Sequence, residues 1–502
     1  MPKKAPLVVV GDALLDRDLT GRADRLAPDA PVPVVADCDE RLRPGGAALA
    51  AYLAARDGRD VTLVTGLGDD PAARALRRLL EPAVEVIALP VTGPLPEKTR
   101  VLAQGHPVLR LDRGTGRARE ATAKAREAVR SAAAVLVSDY GRGAADALRD
   151  VLTRRRPLVW DPHPRGGHPV PGTRLVSPAR AEARAFAAAV AGDGDGGRPG
   201  GRGTDLREAA REAAALVRHW RAAAVAVTLG SRGALLSYGD HPLLVPAPAG
   251  HGGDSCGAGD RFAATAAGLL ADGALVEEAV AGAVTAATAF VGAGGAGALA
   301  SAPGRTAHDA HGAHGAHDAH GAHGAHGAEG AVGAGEGPRG GDTPRAPDDA
   351  VDPFELVARV RATGGTVVAA GGCFDLLHAG HVGLLQAARR IGDCLVVCVN
   401  SDPSVRRRKG EGRPVNPLAD RVRVLRALAC VDAVAVFDED TPERLLAELR
   451  PDVWVKGGDY AGAELPEAAL LEEWGGQAVL LPYLDGRSST ALMARAASGG
   501  TG

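Results

Sequence analysis

Two α/β domains with mostly parallel sheets, the second smaller than the first, are what this sequence predicts. Three observations lead there. Short β-branched or apolar runs alternate with longer Ala/Leu/Arg segments of helical character, the rhythm of a sheet layered with helices. That rhythm stops between residues 304 and 350, where the composition collapses to Ala, Gly, His, Asp and Pro, and then it resumes. A length of 502 residues also suggests two to four domains, each large enough to bury its own core.

In chain order, the first half is expected to place strands at Leu7–Val10, Val61–Val64, Ala134–Val137, Leu158–Trp160 and Ala224–Val227. Each run is too short for a helix and is dominated by Val, Leu or Ala. Gly192–Gly203 interrupts helix-like segments on both sides and reads as a mobile surface insertion rather than a boundary. Further on, Gly252-Gly-Asp-Ser-Cys-Gly-Ala-Gly-Asp260 precedes a long Ala/Leu helix. Consecutive small residues at a helix start leave N–H groups free to hold a developing negative charge. A carboxylate at that edge can take a proton from a hydroxyl.

Residues 304–350 read as a disordered linker. Within it His308, His311, His314, His317, His320, His323 and His326 recur at every third position. Neutral imidazoles are good metal donors, but nothing in the tract fixes a coordination geometry, so it reads as a spacer. Beyond the linker, strands are expected at Thr366–Ala370, Cys394–Val399, Ala433–Phe437, Val453–Val455 and Ala478–Leu481. The first of these runs into Gly371-Gly-Cys-Phe-Asp-Leu-Leu-His-Ala-Gly-His381 and an amphipathic helix. Spacing of three puts His378 and His381 on one face of the first helical turn, where unpaired N–H groups and the positive dipole end favour a phosphate. A nucleotide-binding site is expected there.

Composition excludes several classes. A net charge of −3 with interspersed signs provides no basic footprint, and 3% aromatic content leaves few stacking platforms, so no nucleic-acid partner is expected. The six cysteines form no C-x-x-C pair. Alternation points Cys394 and Cys398 to one sheet face, which favours buried free thiols over a disulfide or zinc site. No apolar stretch reaches membrane-spanning length free of charges and glycines, so a soluble, cytoplasmic chain without a membrane partner is expected.

The segment from Gly371 to His381 resembles the H-x-G-H signature of the nucleotidyltransferase superfamily. Asn400-Ser-Asp-Pro, Arg408-Lys-Gly, Arg413-Pro-Val-Asn-Pro-Leu-Ala-Asp-Arg421, Glu439-Asp-Thr-Pro, Val455-Lys-Gly-Gly-Asp-Tyr460 and Gly486-Arg-Ser-Ser-Thr490 extend the match. In order and spacing they resemble the adenylyltransferase domain of bifunctional heptose-phosphate kinase/adenylyltransferases. That resemblance implies a Rossmann-like domain over residues 351–502 in which a sugar 1-phosphate attacks the α-phosphorus of ATP and expels pyrophosphate. Such chemistry needs positioning and charge stabilisation rather than a protein nucleophile. His378 and His381 would donate to the α-phosphate. Phe374, Gly380, Lys409 with Arg408, and Ser488, Ser489 and Thr490 would bind nucleotide. Lys456, Gly457, Gly458 and Asp459 would contact the nucleotide or sugar phosphate, and Asp375 would orient the loop.

The first half resembles the kinase of the same family, with a ribokinase-like α/β/α fold and a small β lid over residues 1–303. The residues are Val10-Gly-Asp-Ala-Leu-Leu-Asp16, Pro28-Asp-Ala-Pro-Val-Pro-Val34, Arg43-Pro-Gly-Gly-Ala-Ala48, Leu109-Arg-Leu-Asp112, Ser138-Asp-Tyr-Gly-Arg-Gly143, Trp160-Asp-Pro162, Val227-Thr-Leu-Gly-Ser-Arg-Gly233 and the Gly-Ala-Gly-Asp260 motif. The resemblance implies that Asp260 is the general base and that Gly257, Ala258 and Gly259 form the anion hole. Asp16, Gly45 and Gly46 would hold sugar hydroxyls, and Arg110 the 7-phosphate. Thr228, Gly230 and Gly233 would line the ATP site, with Mg²⁺ accompanying ATP and Glu182 organising its water. Lid pairing would make a homodimer. Four positions depart from the family pattern: Leu49 and Ala179 stand where Asn is usual, His163 where Lys is usual, and Arg261 where a small hydroxyl residue is common. Two readings stay open at this point, a bifunctional enzyme making ADP-heptose and a transferase carrying a non-catalytic kinase-like scaffold.

Overall fold

A computed structural model describes residues 4–104, 106–191, 205–239, 242–248, 252–299, 351–457 and 466–481. The Gly192–Gly203 insertion, the His-bearing linker, Gly458, Asp459, Ser488, Ser489 and Thr490 lie outside the described residues.

Each strand expected from the sequence is present, within a residue or two at its ends. The first domain builds a sheet in which Glu85–Leu89, Val61–Gly66, Leu7–Gly11, Val135–Ser138, Val159–Asp161, Leu175–Val176 and Val225–Thr228 run side by side and parallel. The hairpin strands Ala234–Ser237 and Leu243–Val245 continue it antiparallel. In the second domain Ala433–Phe437, Cys394–Asn400, Val367–Gly372, Val453–Gly457 and Gln477–Leu481 lie parallel in that order. The two sheets meet edge to edge, Leu243 against Leu480, and Arg390 donates to the carbonyl of Ala247 at 3.1 Å across the junction.

Both sheets are covered on two faces, which is why their strands read as near-continuous apolar runs. Alternate residues divide between the two covering layers: Cys394, Val396 and Cys398 face one, Leu395, Val397 and Val399 the other. All six cysteines are free, and Cys394 and Cys398 are buried on one face as alternation predicts.

A four-stranded lid stands apart, with Pro33–Gly46, Ala13–Leu26, Glu97–Ala103 and His106–Arg113 in that order. From the residues themselves these strands were illegible. Ala13–Leu26 carries charges at Asp16, Arg17, Asp18, Arg22, Asp24 and Arg25, and every residue of His106–Arg113 is exposed. A strand held by cross-strand hydrogen bonds and ion pairs, such as Arg17 with Glu97 at 2.8 Å, leaves little hydrophobic alternation to read.

Candidate active sites

The first crevice opens where strand order reverses. Leu7–Gly11 lies between Val61–Gly66 and Val135–Ser138, and open α/β sheets bind ligands beyond the carboxyl ends of strands at such a point. Asp12 follows one strand there, and Asp139 and Tyr140 follow its neighbour. The Asp12 carboxylate accepts from the backbone N–H groups of Tyr140 (3.0 Å), Arg142 (2.8 Å) and Ala144 (3.1 Å), so it ties the turn to the strand rather than facing a ligand.

Helix Ala258–Ala271 aims its N-terminus at this crevice. Its cap, Gly257, has φ +80°, and a Cβ there would also meet Leu49 Cδ2 at 2.7 Å, so the position demands glycine. Asp260 lies in the first turn and is buried. Burial pushes its carboxyl up to about 7. The hydroxyl of Tyr140, donating to Oδ1 at 3.0 Å, and the charge of Lys98 oppose that rise, while Asp16 adds to it. A carboxyl that titrates near neutrality suits a general base.

Beside Asp260 is a cavity of about 380 Å³ lined by Thr228, Gly230, Gly233, Ala258 and Gly259, among others. The structure thus brings the expected nucleotide residues and two of the anion-hole residues onto one cavity. On the lid side, Asp16 pairs with Arg43 (3.2 Å) and Arg100 (3.5 Å), and Arg43 also holds Asp18 at 2.8 Å. Gly45 makes room for this cluster, since a Cβ there would stand 2.7 Å from Asp16 Oδ2, while Gly46 at φ +57° caps helix Ala47–Arg56. Asp16 Oδ1 and Arg100 Nη1 are buried and face each other at 3.5 Å without a hydrogen bond to any described residue, so each keeps capacity for a sugar hydroxyl. Arg110 sits opposite Arg100 in the strand register, but it is exposed and donates to Asp112 at 3.0 Å.

The four departures find physical places. Leu49 packs with Leu53 and Ala296 beneath the Gly257 turn, an apolar support. The N–H of Ala179 donates to Glu182 at 2.9 Å, so Glu182 caps its own helix, and burial raises its carboxyl. His163 Nδ1 accepts from the Arg165 N–H at 3.1 Å, and its ring lies 5.8 Å from that of Tyr140. Arg261 turns away to Asp57 at 2.8 Å. Near Glu182, the half-buried Asp161 is held well above the usual carboxylate range by desolvation of its carboxyl and by the charges of Asp260 and Glu182. Neither Asp161 nor Glu182 has an arginine or lysine ion pair among the described residues. Uncompensated negative charge near a nucleotide cavity fits a divalent cation. No cluster of three ligating side chains occurs among the described residues, and two carboxyls alone leave most of a cation's coordination to other oxygens.

The second crevice follows the same rule. Chain order reverses between Val367–Gly372 and Val453–Gly457, so the loops after these two strands flank one cleft. His378 caps helix Ala379–Arg389, and Gly380 and His381 lie in its first turn. The two imidazoles stack with centroids 4.0 Å apart and planes at 30°. Burial, together with the charges of His378 and Lys409, pushes His381 down to about 4, so it is neutral at pH 7 in the free chain. A triphosphate would supply the missing anion and favour the protonated form. Phe374, buried with φ +46°, sets its ring 5.3 Å from His381; any nucleotide contact falls to its backbone, while the ring supports the histidine.

Lys409 ends helix Asp402–Lys409 with an exposed side chain, as does Arg408 before it. Lys456 and Gly457 close the strand beside the histidine loop, and Lys456 pairs with the buried Glu467 at 3.0 Å. Asp375 orients the loop as expected. It pairs with Arg413 and accepts from the N–H groups of Val415 (2.7 Å) and Asn416 (3.0 Å).

Arg421, a motif residue to which the sequence assigned no role, is the clamp of this site. It is buried, donates to the carbonyls of Cys373 (2.7 Å), Asn400 (2.9 Å) and Asn416 (3.1 Å), and pairs with Asp402 at 2.6 Å. One guanidinium therefore joins the signature loop, a strand end, a helix start and the proline loop. Arg421→Met is expected to cost roughly 3–5 kcal/mol, because it leaves these acceptors buried and unpaired. Denaturant unfolding followed by tryptophan fluorescence in a Trp160→Phe, Trp220→Phe background, which keeps Trp454 and Trp474 as reporters of this domain, reads that loss.

Comparison with known proteins fits both crevices. Residues 155–303 match the pfkB family of carbohydrate kinases, and residues 369–479 match the cytidylyltransferase-like family. Over 497 residues the chain is 73% identical to the bifunctional protein HldE of Streptomyces coelicolor, covering 99% of this chain and 97% of the relative. It is 36% identical to the bifunctional protein HldE of Azorhizobium caulinodans over 98% of both chains. The structure also aligns with Arabidopsis thaliana ribokinase, solved with ribose and ATP, over 59% of this chain at 21% identity and a TM-score of 0.46.

Proposed function

Because the chain belongs to the family of bifunctional HldE proteins, we propose that its two crevices carry the two nucleotide-dependent steps of ADP-heptose synthesis. The first domain phosphorylates O1 of heptose 7-phosphate with ATP. The second transfers AMP from ATP to heptose 1-phosphate and releases pyrophosphate. A separate phosphatase must remove the 7-phosphate between the two steps. The observation that carries this reading is the pairing of a different chemical device with each cleft: a buried carboxyl at a glycine-capped helix start in one, two stacked histidines at a helix start in the other. The reading of the first half as an inert scaffold gives way, since both halves match enzyme families.

In the kinase cleft, Asp260 takes the proton from O1 as that oxygen attacks the γ-phosphorus of ATP. Backbone N–H groups of Gly257, Ala258 and Gly259 at the helix start hold the charge that develops on the transferred group. Asp16, Gly45 and Gly46 orient the sugar, and Arg110 is our candidate for its 7-phosphate. Glu182 and Asp161 would hold the water of a Mg²⁺ ion accompanying ATP, and that cation would neutralise charge on the phosphates. In the transferase cleft, the free oxygen of heptose 1-phosphate attacks the α-phosphorus while His378 and His381 donate to the α-phosphate. Lys409, Gly380, Phe374 through its backbone, and Ser488, Ser489 and Thr490 hold the nucleotide. Lys456, Gly457, Gly458 and Asp459 hold the sugar phosphate.

We place the domain limits at residues 1–303, 304–350 and 351–502. No described helix is long and apolar enough to cross a membrane, and a cytoplasmic site of action accords with phosphorylated, membrane-impermeant substrates. Exposed Leu26, Val32, Val108, Leu109 and Leu111 all lie on or beside lid strands, which supports a homodimer through the lid. Sedimentation velocity of Leu109→Glu tests it, and an unchanged oligomer would remove the lid from the interface.

Two assays on the purified chain test the function. With Mg²⁺, ATP and heptose 7-phosphate it forms ADP; with ATP and heptose 1-phosphate it releases pyrophosphate. Absence of either product defeats that half of the reading.

A further inference from the structure

We propose that Tyr140 is a positioning residue for phosphoryl transfer: its hydroxyl occupies one oxygen of Asp260, leaves the other for the sugar hydroxyl, and sets the pH at which the base becomes competent. The inference rests on the kinase reading above and deepens it.

Tyr140 is held from several sides. Its backbone N–H donates to Asp12 Oδ2 at 3.0 Å, fixing the turn after Val135–Ser138. Its ring packs against the tightly turned Gly46, where an added Cβ would stand 3.3 Å from Cε2. Lys98 Nζ lies 5.9 Å from the ring centroid, and the His163 ring lies 5.8 Å away at a tilt of 37°. A ring so confined delivers its hydroxyl to one place, Asp260 Oδ1 at 3.0 Å. Among the described residues Oδ2 accepts no hydrogen bond. A carboxylate with one oxygen taken by a donor that cannot easily leave presents its other oxygen in a defined direction, as a general base requires.

The same hydrogen bond has an electrostatic sign. Groups facing Asp260 are Asp16 from the lid, Asp161 from the end of strand Val159–Asp161, and Lys98 from Glu97–Ala103, while Glu182 faces both Tyr140 and Asp161. The acidic neighbours and burial disfavour the carboxylate, and the Tyr140 hydroxyl and Lys98 favour it. The phenol itself stays protonated, because burial and the charges of Asp260 and Asp161 push its ionisation well upward. It therefore remains a donor throughout the working range.

The test is the pH profile of ADP formation by the full chain, with pyrophosphate release by the second domain as an internal control of folding. In Tyr140→Phe the acid limb of kcat/KM should move upward by roughly one pH unit, since removing a donor to the charged form raises the pKa of the base. Site-specific replacement of Tyr140 by a fluorinated tyrosine, a stronger donor, should move it downward. If the wild-type chain forms ADP and neither replacement displaces the acid limb, or both displace it in one direction, the proposal is overturned while the kinase reading stands. A wild-type chain that forms no ADP removes the kinase reading itself.

Discussion

Replacing His378 by alanine is expected to lower pyrophosphate release from ATP and heptose 1-phosphate by roughly 10²–10³-fold, the usual cost of deleting one preorganised donor to a developing oxyanion. The loss should fall on kcat rather than on KM for the sugar phosphate, because the imidazole acts where charge builds during the transfer. Two features make the effect specific. His378 stands at the cap of helix Ala379–Arg389, so a phosphate bound at that helix start would meet both its side chain and the free N–H groups. The stacked partner His381, held neutral by burial and by neighbouring positive charge, cannot take over as a full cation in the free chain. ADP formation by the first domain should be unchanged in the same preparation. If pyrophosphate release survives within a few-fold, the histidine pair is not the α-phosphate clamp.

Asp260→Asn is expected to lower ADP formation from heptose 7-phosphate by roughly 10²–10⁴-fold, the range typical of a lost general base. Asparagine keeps the volume and can still accept from Tyr140, so the cleft should remain assembled while the proton acceptor is gone. The acid limb of the wild-type profile should fall near neutrality, because the carboxyl of Asp260 is pushed up to about 7 by burial. The direction follows: activity rises with pH through that value, since the carboxylate form is the base. A raised carboxyl of this kind also subtracts stability in its ionised state. The charged form is disfavoured on folding, and stability declines as pH rises from the ordinary aspartate range through the folded value. A variant that retains wild-type ADP formation would remove Asp260 from the reaction and place the proton acceptor elsewhere in the cleft.

Much of the second site could be read along the chain. His378 and His381 belong to one helix start, and Lys456 and Gly457 end one strand, so short-range spacing carries their meaning. Asp375 was also legible as a loop-orienting residue, and its bonds to Arg413, Val415 and Asn416 agree. Arg421 was not legible in its role. It touches segments near residues 373, 400, 402 and 416, and no local pattern distinguishes such a clamp from a solvated arginine on helix Leu418–Arg426.

In the first domain the contrast is sharper. The Gly-Ala-Gly-Asp260 turn raises the expectation of an anion hole and a base, because backbone N–H exposure and an adjacent carboxyl are properties of consecutive residues. Leu49 shows the opposite limit: along the chain it is only a leucine where asparagine is usual, and in the fold it fills the space under Gly257. Lys98 and Arg100 sit in the polar first half of strand Glu97–Ala103, where no local pattern marks either, yet Arg100 pairs with Asp16 and the charge of Lys98 reaches Asp260.

Periodicity along the chain carried the layered α/β plan and the parallel core strands, and the resemblance of its motifs to a known family carried the expectation of a base at Asp260 and a phosphate-binding pair at His378 and His381. Both rest on residues that are neighbours along the chain. Only the folded chain revealed which strands build the lid, and with them the Arg43–Asp16–Arg100 cluster, the Arg421 clamp and the bond from Tyr140 to Asp260 across 120 residues. The reason is physical. Backbone conformation and exposed N–H groups are set by local chemistry, whereas the protonation and direction of a buried side chain depend on what the fold packs against it.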